Sequence, residues 1–249
     1  MLELREVSKI FMQTDSVAVE AMHSISALVH EREFVVFVGP SGCGKTTMLK
    51  IIAGLEKPTT GDIIFDGEKI STTGRDRGMV FQDFALFPWL TVKENIAFGL
   101  RLQKMSEEKI GDTVSYYLKI TGLEQFAQNY PANLSGGMQQ RVAIARTLAN
   151  NPKMILMDEP FGALDLQTRS KMQEFLSKLW EENHKTVVFV THDIEEAIFL
   201  ADRVFLLSKR PAAVQQEFKI EFPRPRTHNL KFDDKFFKLK KQIAQMLEY

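Results

Sequence analysis

The feature that most constrains this 249-residue chain is a glycine-rich stretch, Gly39-Pro40-Ser41-Gly42-Cys43-Gly44-Lys45-Thr46, with Thr47 directly behind it. It fits the pattern G-x-x-x-x-G-K-[ST], which forms a strand-to-helix loop around phosphates. The apolar run Phe34–Val38 before it predicts a strand buried on both faces, and the helical spacing of residues 48–55 predicts the helix behind it. Backbone N–H groups of such a loop turn toward a polyphosphate, and the helix N-terminus adds partial positive charge. The stretch therefore predicts a nucleotide site in which Lys45 reaches the β- and γ-phosphates and Thr46 binds Mg²⁺.

Composition and charge limit the classes of protein that the chain can represent. Its length permits one large or two small domains, and 44% apolar with 26% charged residues is typical of a folded globular protein. The net charge of +0 argues against a nucleic-acid binder, because affinity for the phosphate backbone needs a basic excess.

Targeting signals and cysteine usage give a second set of limits. No apolar run approaches the roughly 20 residues of a membrane span, and Met1–Arg5 lacks the basic-then-apolar profile of a secretion signal. Cys43 is the only cysteine, which excludes an intrachain disulfide. We therefore expect a cytoplasmic protein that acts at a membrane only through a partner.

The order of the predicted elements indicates an α/β fold with a mostly parallel sheet. Apolar runs at Phe34–Val38, Met154–Asp158 and Thr186–Thr191 alternate with helical patterns, as in a sheet covered by helices on both faces. Half-exposed strand patterns near the N-terminus and a hairpin signal at Asp66-Gly67 predict an antiparallel β subdomain. A polar turn is expected around Gln13–Ser16.

We interpret residues 1–249 as a single domain with an insertion and a tail. The α/β core spans 1–83 and 152–222, a helical subdomain spans 84–151, and a linker with a C-terminal amphipathic helix spans 223–249. In the tail, Phe222–Arg226 is typical of an extended linker, and one apolar helical face is predicted from Phe232, Phe236, Leu239, Ile243 and Met246. Packing of this face on its own domain and packing on a partner both stay open.

Four polar residues stand at the ends of predicted strands or directly after them, at the edge where open α/β sheets bind ligands. Asp158 suits an acid that holds Mg²⁺ through its water shell, and Glu159 suits a general base that polarises the attacking water. Gln82 and His192 each stand where a buried strand ends. Taken alone, Asp158 and Glu159 also fit a pair of acids that faces solvent. His192 taken alone also fits a helix cap. Two interpretations of Phe11 stay open, a ring that stacks on a nucleobase and an ordinary core phenylalanine.

A second glycine-rich stretch, Leu134-Ser135-Gly136-Gly137-Met138-Gln139-Gln140-Arg141, favours the interpretation of the acids and the histidine as parts of a nucleotide site. It opens a helical run and predicts a second anion cradle, for which one nucleotide per chain has no use unless two chains face each other. With this stretch, the chain resembles the ATP-binding cassette (ABC) ATPases over nearly its whole length. The resemblance rests on motifs in chain order: the phosphate loop Gly39–Thr46, the Q-loop glutamine Gln82, the signature Leu134–Gly137, the Walker B acid Asp158 with Glu159, the D-loop Gly162–Asp165 and the switch histidine His192.

The resemblance implies an ATPase that works as a head-to-tail dimer of two copies, with ATP and Mg²⁺ as cofactors. Each ATP would lie between Lys45 of one copy and the signature segment of the other. The implied catalytic residues are Glu159, His192, Gln82 and Lys45; the implied Mg²⁺ ligands are Thr46, Gln82 and Asp158; and the implied ATP contacts are Phe11, Gly39 through Thr47, Ser135, Gly136, Gly137 and Asp165. The chain departs from the family pattern at Phe11, where tyrosine is frequent, and at Met138, where many members have glutamine.

The resemblance also implies membrane partners. In the family, the surface that follows the Q-loop, here about Asp83–Gly99, receives coupling helices from permease subunits. The apolar side chains of Phe84, Leu86, Phe87 and Trp89 fit either such a docking groove or the small core of the helical subdomain. A lone cassette resembles the separate ATPase subunit of a bacterial importer, peripheral on the cytoplasmic face of the cell membrane and served indirectly by a solute-binding protein.

Within the importers, the chain resembles the nitrate/sulfonate/taurine group. This resemblance rests on Leu86–Val92, the signature stretch and the tail Phe222–Arg226. Two alternatives remain at this point. One is the ATPase of an exporter or lipid-trafficking system, which would share the catalytic motifs, and the other is a soluble cassette protein of DNA repair or translation.

Overall fold

Two β-sheets and seven α-helices form the structure, a computed structural model that describes residues 1–12 and 18–247. The predicted turn at Gln13–Ser16 lies outside the described residues. The strands are β1 (Leu2–Met12), β2 (Ala18–Val29), β3 (Phe34–Val38), β4 (Thr60–Phe65), β5 (Glu68–Lys69), β6 (Arg77–Val80), β7 (Met154–Asp158), β8 (Thr186–Thr191), β9 (Arg203–Leu207) and β10 (Val214–Lys219). The helices are α1 (Lys45–Ile52), α2 (Val92–Leu102), α3 (Glu107–Thr121), α4 (Gly136–Ala149), α5 (Leu166–Asn183), α6 (Ile194–Leu200) and α7 (Asp234–Leu247).

The larger sheet has six strands in the order β10-β9-β3-β8-β7-β6. The pairs among β9, β3, β8, β7 and β6 are parallel, and β10 is an antiparallel edge strand on β9. Along β3, Phe34, Val36 and Val38 enter one apolar cluster, while Val35 and Phe37 enter the cluster on the other face. This alternation explains why the predicted strand is a continuous apolar run. The polar sequence of β10 gave no such signal, and that strand was not predicted.

The smaller sheet is antiparallel, with strand order β2-β1-β4-β5. It packs on one face of the larger sheet, where Leu2, Leu4 and Ile63 share a cluster with Val35 and Phe37. The β4–β5 hairpin turns at Asp66 (φ 51°) and Gly67 (φ 84°). Two successive left-handed residues are what a two-residue hairpin requires, so the predicted hairpin is confirmed.

Helices α2, α3 and α4 form an apolar cluster of their own. Val92, Ile96 and Leu100 of α2 pack there with Val114 of α3 and Val142 of α4. Helix α4 also sends Ala143, Ile144 and Leu148 into the cluster on the other side of the large sheet. The segment predicted to be helical therefore contains these helices, and the division of the chain at 84–151 stays a prediction.

The C-terminal helix α7 packs on the chain's own core. Phe236 and Ile243 are buried, and Leu239 and Met246 pack against the same cluster. The predicted apolar face was wrong for Phe232, which precedes the helix in a 3₁₀ turn and is 78% exposed. Among the described residues, no helix has both the length and the hydropathy that crossing a membrane requires.

Adjacent phenylalanines of α7 test this packing. Phe236 is 1% exposed and Phe237 is 62% exposed. We expect Phe236→Ala to lower the free energy of unfolding by about 3–5 kcal/mol, because it removes a buried ring and leaves a cavity. Phe237→Ala should change it by less than about 0.5 kcal/mol. Urea unfolding of both variants makes the measurement, and equal losses would contradict the placement of the helix.

Candidate active site

The phosphate loop connects the end of β3 to the start of α1. Gly44 has φ 129°, and a Cβ on it would lie 2.5 Å from the carbonyl oxygen of Ala21. Only glycine fits there without a shift of the β2 backbone. Lys45 is 4% exposed, and its Nζ donates to the carbonyl oxygens of Gly39 and Pro40, both at 2.9 Å. The loop thus holds a buried ammonium group over its own backbone.

Thr46 and Asp158 place two hard oxygen donors together. The Thr46 hydroxyl donates to Asp158 Oδ1 at 2.9 Å, and Asp158 is 4% exposed at the end of β7. Burial raises the pKa of Asp158, and the Thr46 hydrogen bond acts in the opposite direction. A hydroxyl beside a carboxylate suits Mg²⁺ bound jointly by protein and substrate phosphates. Across 1–12 and 18–247, no three His, Cys, Asp or Glu side chains converge into a cation cage.

Glu159 lies between a lysine and a histidine. Its Oε1 is 3.2 Å from Lys45 Nζ, and its Oε2 accepts a hydrogen bond from His192 Nδ1 at 2.7 Å. The parallel pairing of β7 and β8 produces this meeting, because Asp158 pairs with Val190 and the two strands end together. Glu159 has φ 41°, a left-handed conformation that costs free energy in a non-glycine residue. Its backbone N–H donates to the carbonyl of Val190 at 3.0 Å, which helps to hold that conformation.

Gln82 is exposed two residues beyond β6, the strand next to β7. A Cβ on Gly162 would lie 3.9 Å from the Gln82 amide nitrogen. Gln82 therefore lies beside the turn that leaves Glu159, although its approach to a Mg²⁺ site stays a prediction.

The signature segment and the D-loop lie against each other. Ser135 caps α4, accepting from Met138 N at 3.4 Å, and Asp165 caps α5, accepting from Gln167 N and Thr168 N. A Cβ on Gly137 would lie 2.7 Å from Thr168 Cγ2, so the absence of a side chain permits this contact. Among the described residues, no hydrogen bond or ion pair joins Ser135, Gly136 or Gly137 to the phosphate loop of the same chain. At this N-terminus Ser135 and Gly136 are exposed, and Gly137 is buried.

Phe11 and Cys43 differ in what they offer to a ligand. Phe11 is 38% exposed, with Lys9 Nζ 4.9 Å from its ring centroid, which disfavours the core interpretation and leaves base stacking as the prediction. Cys43 is 1% exposed, and burial raises the pKa of its thiol. The thiol of Cys43 is therefore protected from modification.

Comparison with known proteins decides the family. The family profile described as ABC transporter matches residues 22–162. The chain belongs to the ABC transporter family. The nitrate import ATP-binding protein of Synechocystis sp. is 47% identical over 252 residues, covering 99% of this chain and 94% of that protein. The aliphatic sulfonates import ATP-binding protein of Bacillus cereus is 43% identical, covering 100% of this chain and 96% of that protein.

A solved structure extends the comparison to three dimensions. The dimeric structure of an ATP-binding cassette in a post-hydrolysis state, bound to ADP and Pi, superposes with a TM-score of 0.79 at 42% identity. It covers 90% of this chain and 100% of that one. The present chain is thus an ABC transporter ATPase with the P-loop α/β fold that its motifs predicted, and this relative of it is dimeric.

Several residues of the site were not predicted from the sequence. Glu196, 3% exposed, accepts from the Thr191 hydroxyl at 2.7 Å and from Gln173 Nε2 at 3.1 Å, directly behind His192. Asn95 is fully buried and hydrogen-bonds the backbone of Phe87, Leu90 and Thr91. Only tertiary contacts reveal these roles, although a polar residue inside an apolar helical pattern is a signal that could have marked Asn95.

The buried charge of Asp158 leads to a prediction about stability. Because burial raises its pKa in the folded state, Asp158 contributes stability below its unfolded pKa and loses that contribution as pH rises through the folded pKa. Asp158→Asn removes the charge and keeps an acceptor for Thr46. We expect the variant to melt at a higher temperature at pH 7 without nucleotide or metal, with the difference vanishing near pH 3. A lower melting temperature at pH 7 would contradict this assignment.

Proposed function

We propose that this ABC ATPase hydrolyses Mg-ATP as the nucleotide-binding subunit of a membrane importer for nitrate-, sulfonate- or taurine-like solutes. The observation that carries the proposal is the Glu159 carboxylate, held between His192 Nδ1 and Lys45 Nζ at the end of the parallel strands. The solute class rests on the two relatives, which are importer ATPases for nitrate and for aliphatic sulfonates.

Binding of the triphosphate uses the phosphate loop. The N–H groups of Gly42 to Thr46 and the N-terminus of α1 face the phosphates and stabilise their charge. Lys45 Nζ, which contacts two loop carbonyls and Glu159, moves onto the β- and γ-phosphate oxygens, where a full negative charge is a better partner than a carbonyl. Phe11 stacks on the base, supplying area without reading its identity.

Hydrolysis uses Glu159 as the base. The water oxygen bonds to the γ-phosphorus while the bond from that phosphorus to the β–γ bridging oxygen breaks, and the proton of the water passes to Glu159. The products are ADP and phosphate. His192 fixes the orientation of the carboxylate through its 2.7 Å hydrogen bond, and Lys45 stabilises negative charge on the departing ADP.

The metal fits the oxygen donors of this chain. Mg²⁺, when bound with the nucleotide, would neutralise phosphate charge. Thr46 and Asp158 would hold it, and Gln82 would extend from the Q-loop toward it. We infer that Gln82 thereby relays the nucleotide state to the helical region.

The other half of each site comes from a second copy. The N-terminus of α4, where Ser135 and Gly136 are exposed and Gly137 is buried, makes no hydrogen bond or ion pair with the described phosphate loop of its own chain, and a helix N-terminus favours an anion. In a head-to-tail dimer it meets the γ-phosphate bound to Lys45 of the partner. Closure then depends on the γ-phosphate, and hydrolysis removes the contact that keeps the dimer closed.

The permease docks on the surface of Asp83–Gly99. Phe87 is the centre of this surface, with ring centroids 4.3 Å from Phe98 and 5.7 Å from Trp89, and Trp89 is 70% exposed. Phe84 instead packs against the cluster of the large sheet, and Leu86 packs against both that cluster and the cluster of α2, α3 and α4, so the alternative interpretation of a small helical core holds for Leu86 and not for Phe84. Asn95 holds the Phe87 backbone in place, so the aromatic platform is rigid. Docking on the permease places the chain at the cytoplasmic face of the membrane. A solute-binding protein is then an indirect partner of the chain.

Removing the base should separate binding from turnover. We expect Glu159→Gln to lower kcat by about 10²–10⁴-fold, because the amide cannot accept the proton, while ATP affinity is kept. The variant should accumulate as an ATP-bound dimer. Phosphate release and nucleotide titration make the measurement, with Glu217→Gln, a carboxylate on β10, as the matched control. Turnover at the wild-type rate would remove Glu159 from the mechanism.

Removing the lysine should act on binding instead. We expect Lys45→Ala to weaken ATP binding by about ten- to a hundredfold, since a charge-assisted contact with the phosphates is lost. Lys153→Ala, an exposed lysine next to the opposite end of β7, is the control and should bind normally. Unchanged affinity of the Lys45 variant in a fluorescent-nucleotide titration would contradict the role assigned to it.

The importer role has its own test. Tagged Glu159→Gln chain, isolated with ATP from gently solubilised membranes, should bring down a polytopic permease in equal amount, identified by mass spectrometry. Recovery with ribosomal or DNA-bound proteins would leave the ATPase chemistry standing and contradict transport.

A further inference from the structure

The proline-rich tail segment Phe222-Pro223-Arg224-Pro225-Arg226, here called the strap, ends in an arginine that is buried. Arg226 is 5% exposed, and its Nη1 donates to the carbonyl oxygens of Ile198 at 3.2 Å, Phe199 at 3.0 Å and Ala201 at 2.7 Å. Its other nitrogens donate to the carbonyl of Phe222. Burial, with the Arg224 charge as a smaller cause, lowers the pKa of Arg226 to about 10, so the group stays charged at neutral pH.

Arg224 binds the same end of helix α6 from the other side. Its Nη2 donates to the carbonyl of Leu200 at 2.6 Å and to Asp202 Oδ1 at 3.0 Å. Its guanidinium carbon lies 4.1 Å from the ring centroid of Trp180, which fixes the plane of the group. The two arginines together bind four consecutive carbonyls, 198 to 201, which have no intrahelical partner at a helix C-terminus. Positive charge is also favourable there.

The opposite end of α6 carries the switch histidine. Asp193 caps the helix, accepting from Glu195 N at 2.8 Å and Glu196 N at 3.2 Å. The Thr191 hydroxyl accepts from Asp193 N and donates to the buried Glu196. His192 lies between Thr191 and Asp193 in the chain, so a movement of α6 would also move the His192 imidazole.

Helix α6 has only seven residues and depends on tertiary contacts, because so short a helix is not stable by itself. Most of its apolar side chains are buried in the core, and hydrogen bonds hold its two ends. The strap fixes one of its ends, and the Thr191–Glu196 contacts fix the other. A small displacement of the helix would change the 2.7 Å contact between His192 and Glu159.

We propose that the strap is a positioning device for His192, in which Arg224 and Arg226 fix helix α6 so that the imidazole stays on Glu159. Arg226 is thus a positioning residue for hydrolysis although it lies at the other end of the helix. The inference rests on the proposed ATPase mechanism.

The test uses Arg226→Lys, which keeps the charge and loses the fork that reaches several carbonyls. We expect kcat per nucleotide-binding chain to fall about ten- to a hundredfold, because a misplaced catalytic group lowers the rate by such a factor. The KM for ATP should stay within about twofold of the wild-type value. A merely structural role would reduce the number of binding-competent chains and leave kcat per competent chain unchanged. Arg77→Lys, at another arginine with a largely buried side chain that donates to a carbonyl, is the matched control and should keep its kcat.

Imidazole NMR supplies a readout independent of turnover. The chain has five histidines, and His192→Ala identifies the His192 signal by its loss. Arg226→Lys should shift or broaden that signal while those of His23 and His30 stay in place, and Arg77→Lys should move none of the three. If the Arg226→Lys chain shows no melting transition and is therefore unfolded, Arg224→Lys makes the same test, because Arg224 binds the carbonyl of Leu200 at the same end of α6.

The outcomes separate this inference from the proposed function. A wild-type chain that hydrolyses ATP, together with an Arg226→Lys chain that keeps its kcat and its His192 signal, would overturn the positioning role alone. A wild-type chain that binds but does not hydrolyse ATP would overturn the proposed function, and the inference with it.

Discussion

The hydrogen bond between Thr46 and Asp158 is the contact on which the rest of the site depends. Strands β3 and β7 are not neighbours, because β8 lies between them, so the phosphate loop must cross the end of β8 to reach Asp158. Gly44 permits the turn of the loop. The parallel strands β7 and β8 end side by side, so Glu159 and His192, which follow them, lie close together. Lys45 Nζ then lies 3.2 Å from Glu159, and Lys45, Glu159 and His192 form one connected set of proposed catalytic groups.

The candidate site contains features that lower the stability of the fold and that a bound ligand can use. A buried lysine, an aspartate with a raised pKa and a glutamate in a left-handed conformation meet at one edge of a well-packed sheet. Such features persist only where the surrounding structure holds them, and they cluster where a ligand makes use of them. A polyphosphate with its metal supplies the charges that Lys45 and Asp158 need. In the proposed dimer, the γ-phosphate is bound by the first chain and meets the signature segment of the second.

Much of the fold and site could be predicted because the signals are local. A doubly buried strand such as Phe34–Val38 is a continuous apolar run, and the phosphate loop and signature have fixed spacings. Strand β10, with only Phe218 buried toward the core, has no apolar run and was missed. The roles of Glu196 and Arg226 depend on contacts with residues more than 20 positions away in the chain, which a local window of sequence does not contain. Phe232 fitted the helical spacing but lies before the helix begins.

Ser135 is proposed to contact the nucleotide that is bound to another chain. Light scattering of the Glu159→Gln chain with Mg-ATP tests it through two serines that both cap helices, Ser135 on α4 and Ser106 on α3. Ser106→Arg should form the ATP-dependent dimer, whereas Ser135→Arg should bind ATP and remain a monomer, because a bulky cation blocks the cradle. Dimers of equal stability in both variants would show that the signature segment is not the second half of the site.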